Sequence, residues 1–271
     1  MLYVGTSGYS YKDWVGRYYP EGLPQSEWLT FYTRDFKTTE INYTYYRLPT
    51  AATLGAMAAK VPDDFLFTIK ASKELTHERD PEVVPEAAAR FVEALQPLIE
   101  QEKFGCILAQ FPSSFHNTPE NRDYLRRLRD PQIFGDVPVV VEFRNTEWAE
   151  EEVYDLLRET NLGFCAVDQP RFKTLMPPVA VVTSPIAYVR FHGRNYQNWW
   201  QHEEAYERYN YQYSREELEE WVPKMTEMAS QAPLMFAFAN NHYQGQSVQT
   251  ARQIEALMAG HVPVAGEPAA G

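Results

Sequence analysis

Eight short runs of β-branched and aromatic residues, most followed by a stretch of helical character, predict an α/β fold: a single (β/α)8 barrel of the TIM type. The alternation calls for a parallel sheet, and eight repeats across 271 residues call for a closed one. A hydrophobic content of 44% is enough for one large core.

The strands are expected at LYVG (2–5), FKTTEIN (36–42), FLFTIK (65–70), GCILAQF (105–111), PVVVEF (138–143), GFCAVD (163–168), AYVRFH (187–192) and LMFAFAN (234–240). Helix starts carry their own chemistry. Thr50 precedes an alanine-rich run, Thr118 stands before Pro119, and Ser214 with Glu217 spells a capping box ahead of LEEWVPKM. The last helix is expected from about Ser247 to Gly260. Two segments depart from the ideal. Pro170, Pro177, Pro178 and Pro185 leave the sixth helix short or absent. After the seventh strand, residues 193–213 form a long aromatic loop, a candidate lid. Residues 1–262 then make one barrel domain, and 263–271, small, apolar and proline-bearing, a flexible tail.

Cys106 and Cys165 each lie in an apolar run with no partner at metal-ligand spacing, which points to a reduced, cytoplasmic setting. The amino terminus lacks the pattern of a secretory signal, and no segment reaches the roughly 18 apolar residues of a membrane helix. A net charge of −12 disfavours duplex nucleic acid as a partner, so an anionic ligand must be captured locally.

Side chains alternate along a strand, so VVVEFRN puts Glu142 and Arg144 on one side and Phe143 on the other. Taking the face opposite the bulky apolar residues as inward gives Thr38, Glu40 and Asn42; Leu66, Thr68 and Lys70; Leu108 and Gln110; Ala166 and Asp168; Tyr188, Arg190 and His192; and Ala237, Ala239 and Asn241. Each set turns polar at its C-terminal end, where active sites of this fold lie. The ring mixes Glu40, Glu142 and Asp168 with Lys70, Arg144 and Arg190. Cations among the carboxylates oppose a catalytic metal cluster, so no metal or cofactor is expected, although His77, His116, His192 and His242 fall at strand ends. The same cations favour ionised carboxylates and weigh against a glycosidase.

Guanidinium groups at Arg144 and Arg190, with Lys70, suit a phosphate or carboxylate. Trp14, Tyr19, Tyr43, Tyr46, Trp148 and Trp199 are rings expected near the same mouth, where they would stack a planar group. The loop GTSGYSYKDW offers Gly5, Thr6, Ser7 and Gly8 as a phosphate-cradling turn or as a simple clearance turn.

The series GTSGYSYKDW with YYPEGLP, EINYTYYRLP, FLFTIKASKELTH, ILAQFPSSF, VVEFRNTEW, YVRFHGRN and FANNHYQGQSV, in that order, resembles the YecE-like family, domain of unknown function 72. The resemblance implies a TIM-type barrel without an established activity, for which nuclease-like and nucleotide-binding roles are proposals. It also implies that Glu40, Asn42, Lys70, His77, Gln110, Glu142, Arg144, Asp168, Arg190, His192 and Asn241 are the family's polar positions. Asn145-Thr146 departs from a His-Ser pair common in that family.

The resulting expectation is a barrel that binds a small phosphorylated or nucleotide-like anion. Glu40, Asn42, Lys70, Gln110, Arg144, Arg190, Asn241, Trp14, Tyr46, Trp148 and Trp199 would bind it. Glu142 or Asp168 as base and His192 as proton shuttle would act in any phosphoester hydrolysis. A non-catalytic nucleic-acid or metabolite-binding adaptor and a metal-dependent nuclease-like enzyme are the alternatives. Replacing Arg190 by alanine is expected to weaken binding with little loss of fold.

Overall fold

The computed structural model describes residues 1–204 and 206–266. Strands β1 (Leu2–Ser7), β2 (Thr38–Ile41), β3 (Leu66–Lys70), β4 (Phe104–Gln110), β5 (Val139–Glu142), β6 (Gly163–Asp168), β7 (Ile186–Phe191) and β8 (Leu234–Ala239) pair in sequence order, all parallel, and β8 returns to β1 to close the barrel. Around it run α1 (Trp28–Tyr32), α2 (Ala51–Ala58), α3 (Val84–Glu100), α4 (Pro119–Arg127), α5 (Glu151–Glu159), α6 (Arg215–Glu219), α7 (Val222–Gln231) and α8 (Gln246–Met258).

Local sequence chemistry sets the helix starts. Thr50 and Thr118 accept the backbone N–H three residues on, and Ser214 and Glu217 close a reciprocal box. In α3, Val84, Ala87, Ala88, Phe91, Ala94, Leu95 and Leu98 recur at three and four residues and form one buried stripe. The proline-rich segment 169–185 holds no α-helix, so the barrel's sixth helix is missing. No helix among the described residues is long and apolar enough to cross a membrane.

Residues paired across parallel strands share a face, so the register reads out the interior. Thr68 pairs with Cys106, Gln110 with Glu142, and Ser7 with Glu40. Two strands correct the sequence reading. Cys165 pairs with Tyr188 and Val167 with Arg190, so Cys165 and Val167 face in and Asp168 faces out. Phe236 pairs with Tyr188 and Phe238 with Arg190, so the phenylalanines of β8 fill the barrel, and Ala237 and Ala239 face the helices. Bulk marked the wrong face there because the opposing strands make room. A Cβ on Gly105 would lie 2.6 Å from the Phe236 ring, and one on Gly5 would lie 2.3 Å from the Thr38 carbonyl oxygen.

The C-terminal segment begins docked rather than free. Leu2 N–H donates to the Pro263 carbonyl (2.8 Å), Ala265 N–H donates to the Leu2 carbonyl (2.8 Å), and Val264 is buried. Of the tail expected over 263–271, residues 267–271 lie outside the described residues.

Candidate functional site

At the C-terminal end of the barrel interior, Arg190 on β7 lies between two carboxylates. Its Nη2 donates to Glu40 Oε1 and its Nη1 to Glu142 Oε2, both at 2.6 Å. Tyr188 OH donates to Glu40 Oε2 at 2.6 Å. Glu40, Glu142 and Tyr188 are wholly buried and Arg190 nearly so. Both terminal nitrogens of Arg190 are thus spent on internal carboxylates, and only its buried Nε lacks a partner, so the fork expected to hold an anion serves as an internal counter-ion.

Around Glu142, Arg144 Nε lies 3.0 Å from Oε1 and His192 Nε2 lies 3.2 Å from the same oxygen, neither with the angle of a hydrogen bond. Burial alone would raise the Glu142 pKa; Arg190, Arg144 and His192 overcome it and hold the carboxyl well below its usual range. His192 Nδ1 takes the Asn240 side-chain amide N–H at 2.9 Å, which leaves the ring proton on Nε2, toward Glu142. Burial first, and then Arg144, push the His192 pKa down to about 3, so the ring is neutral.

Lys70, at the end of β3, is partly exposed. Its ammonium sits over the Tyr45 ring, 4.7 Å from the centroid. Burial, reinforced by Arg190 and Arg144 and opposed by Glu142 and Glu40, lowers its pKa to about 7. His77, edge-on to Tyr45 at 4.8 Å, is likewise pushed down, to about 4, by burial and then by Lys70.

Above this layer is a cavity of about 250 Å³ walled by His77, Gln110, Arg144, Trp199, Trp200, Arg208 and Tyr209, among others. The last four come from the loop after β7, which turns back over the mouth as a wall. There Arg208 Nε donates to the Trp199 carbonyl at 3.0 Å, and Asn195 Nδ2 donates to the carbonyls of Glu207 and Asn210. Gln110 is nearly buried and donates to the Phe111 carbonyl at 2.6 Å. A second cavity, of about 290 Å³, opens over β1 and β2 among Tyr9, Tyr11, Asn42, Tyr43 and Tyr46. Asn42 Oδ1 has no partner there, and Tyr46 is 79% exposed.

Four other expected site residues lie elsewhere. Asp168 accepts from Arg194 Nε (2.9 Å) and Nη2 (2.7 Å), Tyr213 OH (2.6 Å) and Trp221 Nε1 (2.7 Å), all outside the barrel. With these donors upon it, Asp168 anchors the β7–α7 connection and has no geometry for a base. Asn241 Nδ2 donates to Thr250 Oγ1 on α8 (2.9 Å) and to the Tyr211 carbonyl (2.8 Å), so it joins that outer layer. Trp14 and Trp148 are wholly buried and line neither mouth cavity; their indole N–H groups donate to the carbonyls of His242 and Phe115, pinning loops. In the other direction, Trp200, Arg208 and Tyr209 wall the first cavity without having been expected there. Their loop has neither strand nor helix period by which sequence could orient them.

Comparison with known proteins bears on this arrangement. The family model described as "Protein of unknown function DUF72" matches residues 3–270. The chain belongs to the DUF72 family. The crystal structure of a DUF72 protein of Thermotoga maritima is 38% identical and superposes with a TM-score of 0.88 over 96% of this chain and 99% of that one. A DUF72 protein of Enterococcus faecalis, 25% identical, gives 0.84 over 96% of each chain. The UPF0759 protein YunF of Bacillus subtilis is 27% identical over 95% of both chains. Among the described residues of this DUF72 barrel, no three His, Cys, Asp or Glu side chains form a group able to hold a metal ion.

Proposed function

We propose that this DUF72 barrel binds a small phosphorylated or nucleotide-like anion at its C-terminal mouth. The observation that carries the reading is Arg144. Its Nε faces Glu142, its Nη nitrogens have no partner among the described residues, and the side chain stands in the wall of the mouth cavity. Glu40 and Glu142 are balanced by Arg190 and Arg144, so the protonated Lys70 leaves the layer with excess positive charge. An anion entering beside Arg144, in the cavity that Arg208, Gln110 and His77 also wall, restores the balance. Trp200 and Tyr209 supply flat faces for a base or another planar group.

The burial of Glu142 and His192 favours binding over hydrolysis. Both are wholly enclosed, and Glu142 is held ionised by cations, which makes it a poor proton acceptor. A non-catalytic metabolite-binding role is thus the second reading, and turnover of any bound phosphoester would decide against it. Thermal melting with inorganic phosphate, pyrophosphate and nucleoside monophosphates tests the common claim. A rise in Tm that disappears in Arg144→Ala supports it; no rise with any of these anions removes it.

A further inference from the structure

We propose that the amine of Lys70 condenses with the carbonyl group of a phosphorylated aldehyde or ketone held at the mouth, forming a protein-bound imine. This rests on the anion-binding reading above and gives the ligand a class.

Among the described residues the Lys70 ammonium has neither hydrogen bond nor ion pair, and it lies over the Tyr45 ring. The carboxylates that might hold it are taken. Glu40 gives one oxygen to Arg190 and the other to Tyr188, and Glu142 gives one to Arg190 while its other faces Arg144 Nε and His192 Nε2 as an ion pair without a hydrogen bond. Lys103 shows how the same chain supplies partners to a buried lysine. Its Nζ donates to the carbonyls of Ala58 and Val61, both at 3.0 Å, and lies 3.5 Å from Asp63. Lys70 receives nothing comparable.

Lys70 ends β3 on the inward face, paired with Leu108, one inward position before the level of the Gln110–Glu142 pair, and its neighbours Arg144 and His77 stand in the cavity wall. Arg190 and Arg144, Glu40 and Glu142, Tyr45 and His77 surround it. Burial, and then two permanent cations nearby, loosen its proton, and with a pKa of about 7 a large share of the amine is neutral at neutral pH. A phosphate held at Arg144, one of the charged groups beside Lys70, would bring a carbonyl carbon toward that lone pair, replacing a collision by an oriented encounter.

The step balances without an oxidant or reductant. The nitrogen lone pair forms the C–N bond while the C=O π pair moves to oxygen, which is protonated. The nitrogen gives up its two protons in turn as the hydroxyl departs as water, leaving C=N.

The test uses the full-length protein at neutral pH with glyceraldehyde 3-phosphate or unphosphorylated glyceraldehyde, each with cyanoborohydride, followed by intact mass and peptide mapping. Inorganic phosphate melts are run in parallel. The expected result is one adduct with the phosphorylated aldehyde on the Lys70 peptide, formed roughly tenfold or more faster than on any surface lysine. Inorganic phosphate should suppress it, and Lys70→Met should lack it. The wild-type map is decisive by itself, so a Lys70→Met variant that failed to fold would leave the test intact. A phosphate-induced rise in Tm with Lys70 unmodified overturns the imine and spares the anion site. Equal labelling of Lys70 by both aldehydes, with no phosphate effect, overturns the phosphorylated class and the anion reading with it.

Discussion

Arg190 Nη2 and Glu40 Oε1 meet at 2.6 Å across the barrel interior, from positions 150 residues apart in the chain. The contact links β7 to β2, and with Glu142 it ties in β5, so the charged layer fastens the top of the barrel. Arg190→Ala would leave two buried carboxylates without their cation and should cost about 3–5 kcal/mol in urea unfolding. A loss under about 1 kcal/mol would show that the layer is not under this constraint.

Arg144 gives the opposite expectation. It is 12% exposed and faces one carboxylate, Glu142, which keeps its hydrogen bond from Arg190, so alanine there should cost less stability than Arg190→Ala. It should weaken phosphate-type ligands by roughly tenfold or more, read as loss of the thermal shift or by calorimetry. Intact affinity would move the anion away from this wall.

Acid should unfold the protein in a definable window. His192, with a folded pKa near 3 against an ordinary 6.5, stays neutral in the fold while the unfolded chain takes up its proton. The His192 share of the stability is therefore complete above about pH 6.5 and falls below it by about 1.4 kcal/mol per pH unit. Glu142, held well below its ordinary value, adds loss at still lower pH. His192→Gln should flatten the upper limb, with the share of His77, depressed to about 4, remaining. Urea midpoints across that range measure it, and an unchanged slope would contradict a neutral buried ring.

Asp168→Asn separates an anchor from a base. It leaves Arg194 with Glu220 but removes the charge from the acceptor of Tyr213 and Trp221, for an expected loss of about 2–3 kcal/mol. The phosphate-induced rise in Tm should persist. Loss of the ligand response without loss of stability would return Asp168 to the site.

Gly105→Ala should destabilise by about 1–3 kcal/mol, because its methyl would press on the Phe236 ring, and Phe236→Leu should recover part of that in the double variant. Additive losses would place the strain elsewhere.

The order of strands, the helix caps and the missing sixth helix were legible because each depends on neighbours within a few residues: β-branched runs, Thr or Ser before a helical period, prolines that cannot donate. The inward faces of β2, β3, β4, β5 and β7 were legible too, since polar side chains alternating with apolar ones have only one face to occupy, and Glu40, Lys70, Gln110, Glu142 and Arg190 share it. The faces of β6 and β8 were not. Whether Phe236 points in or out depends on space left by Gly105 on another strand, and Asp168 goes wherever Arg194, Tyr213 and Trp221 can reach it. The sequence by itself determined that acidic and basic groups would gather at one end of a barrel. Only the tertiary structure decided which of them pair with one another and which nitrogens, the Lys70 Nζ and the Arg144 Nη groups, are left without a partner among the described residues, because pairing is settled by distances between segments that no local pattern encodes.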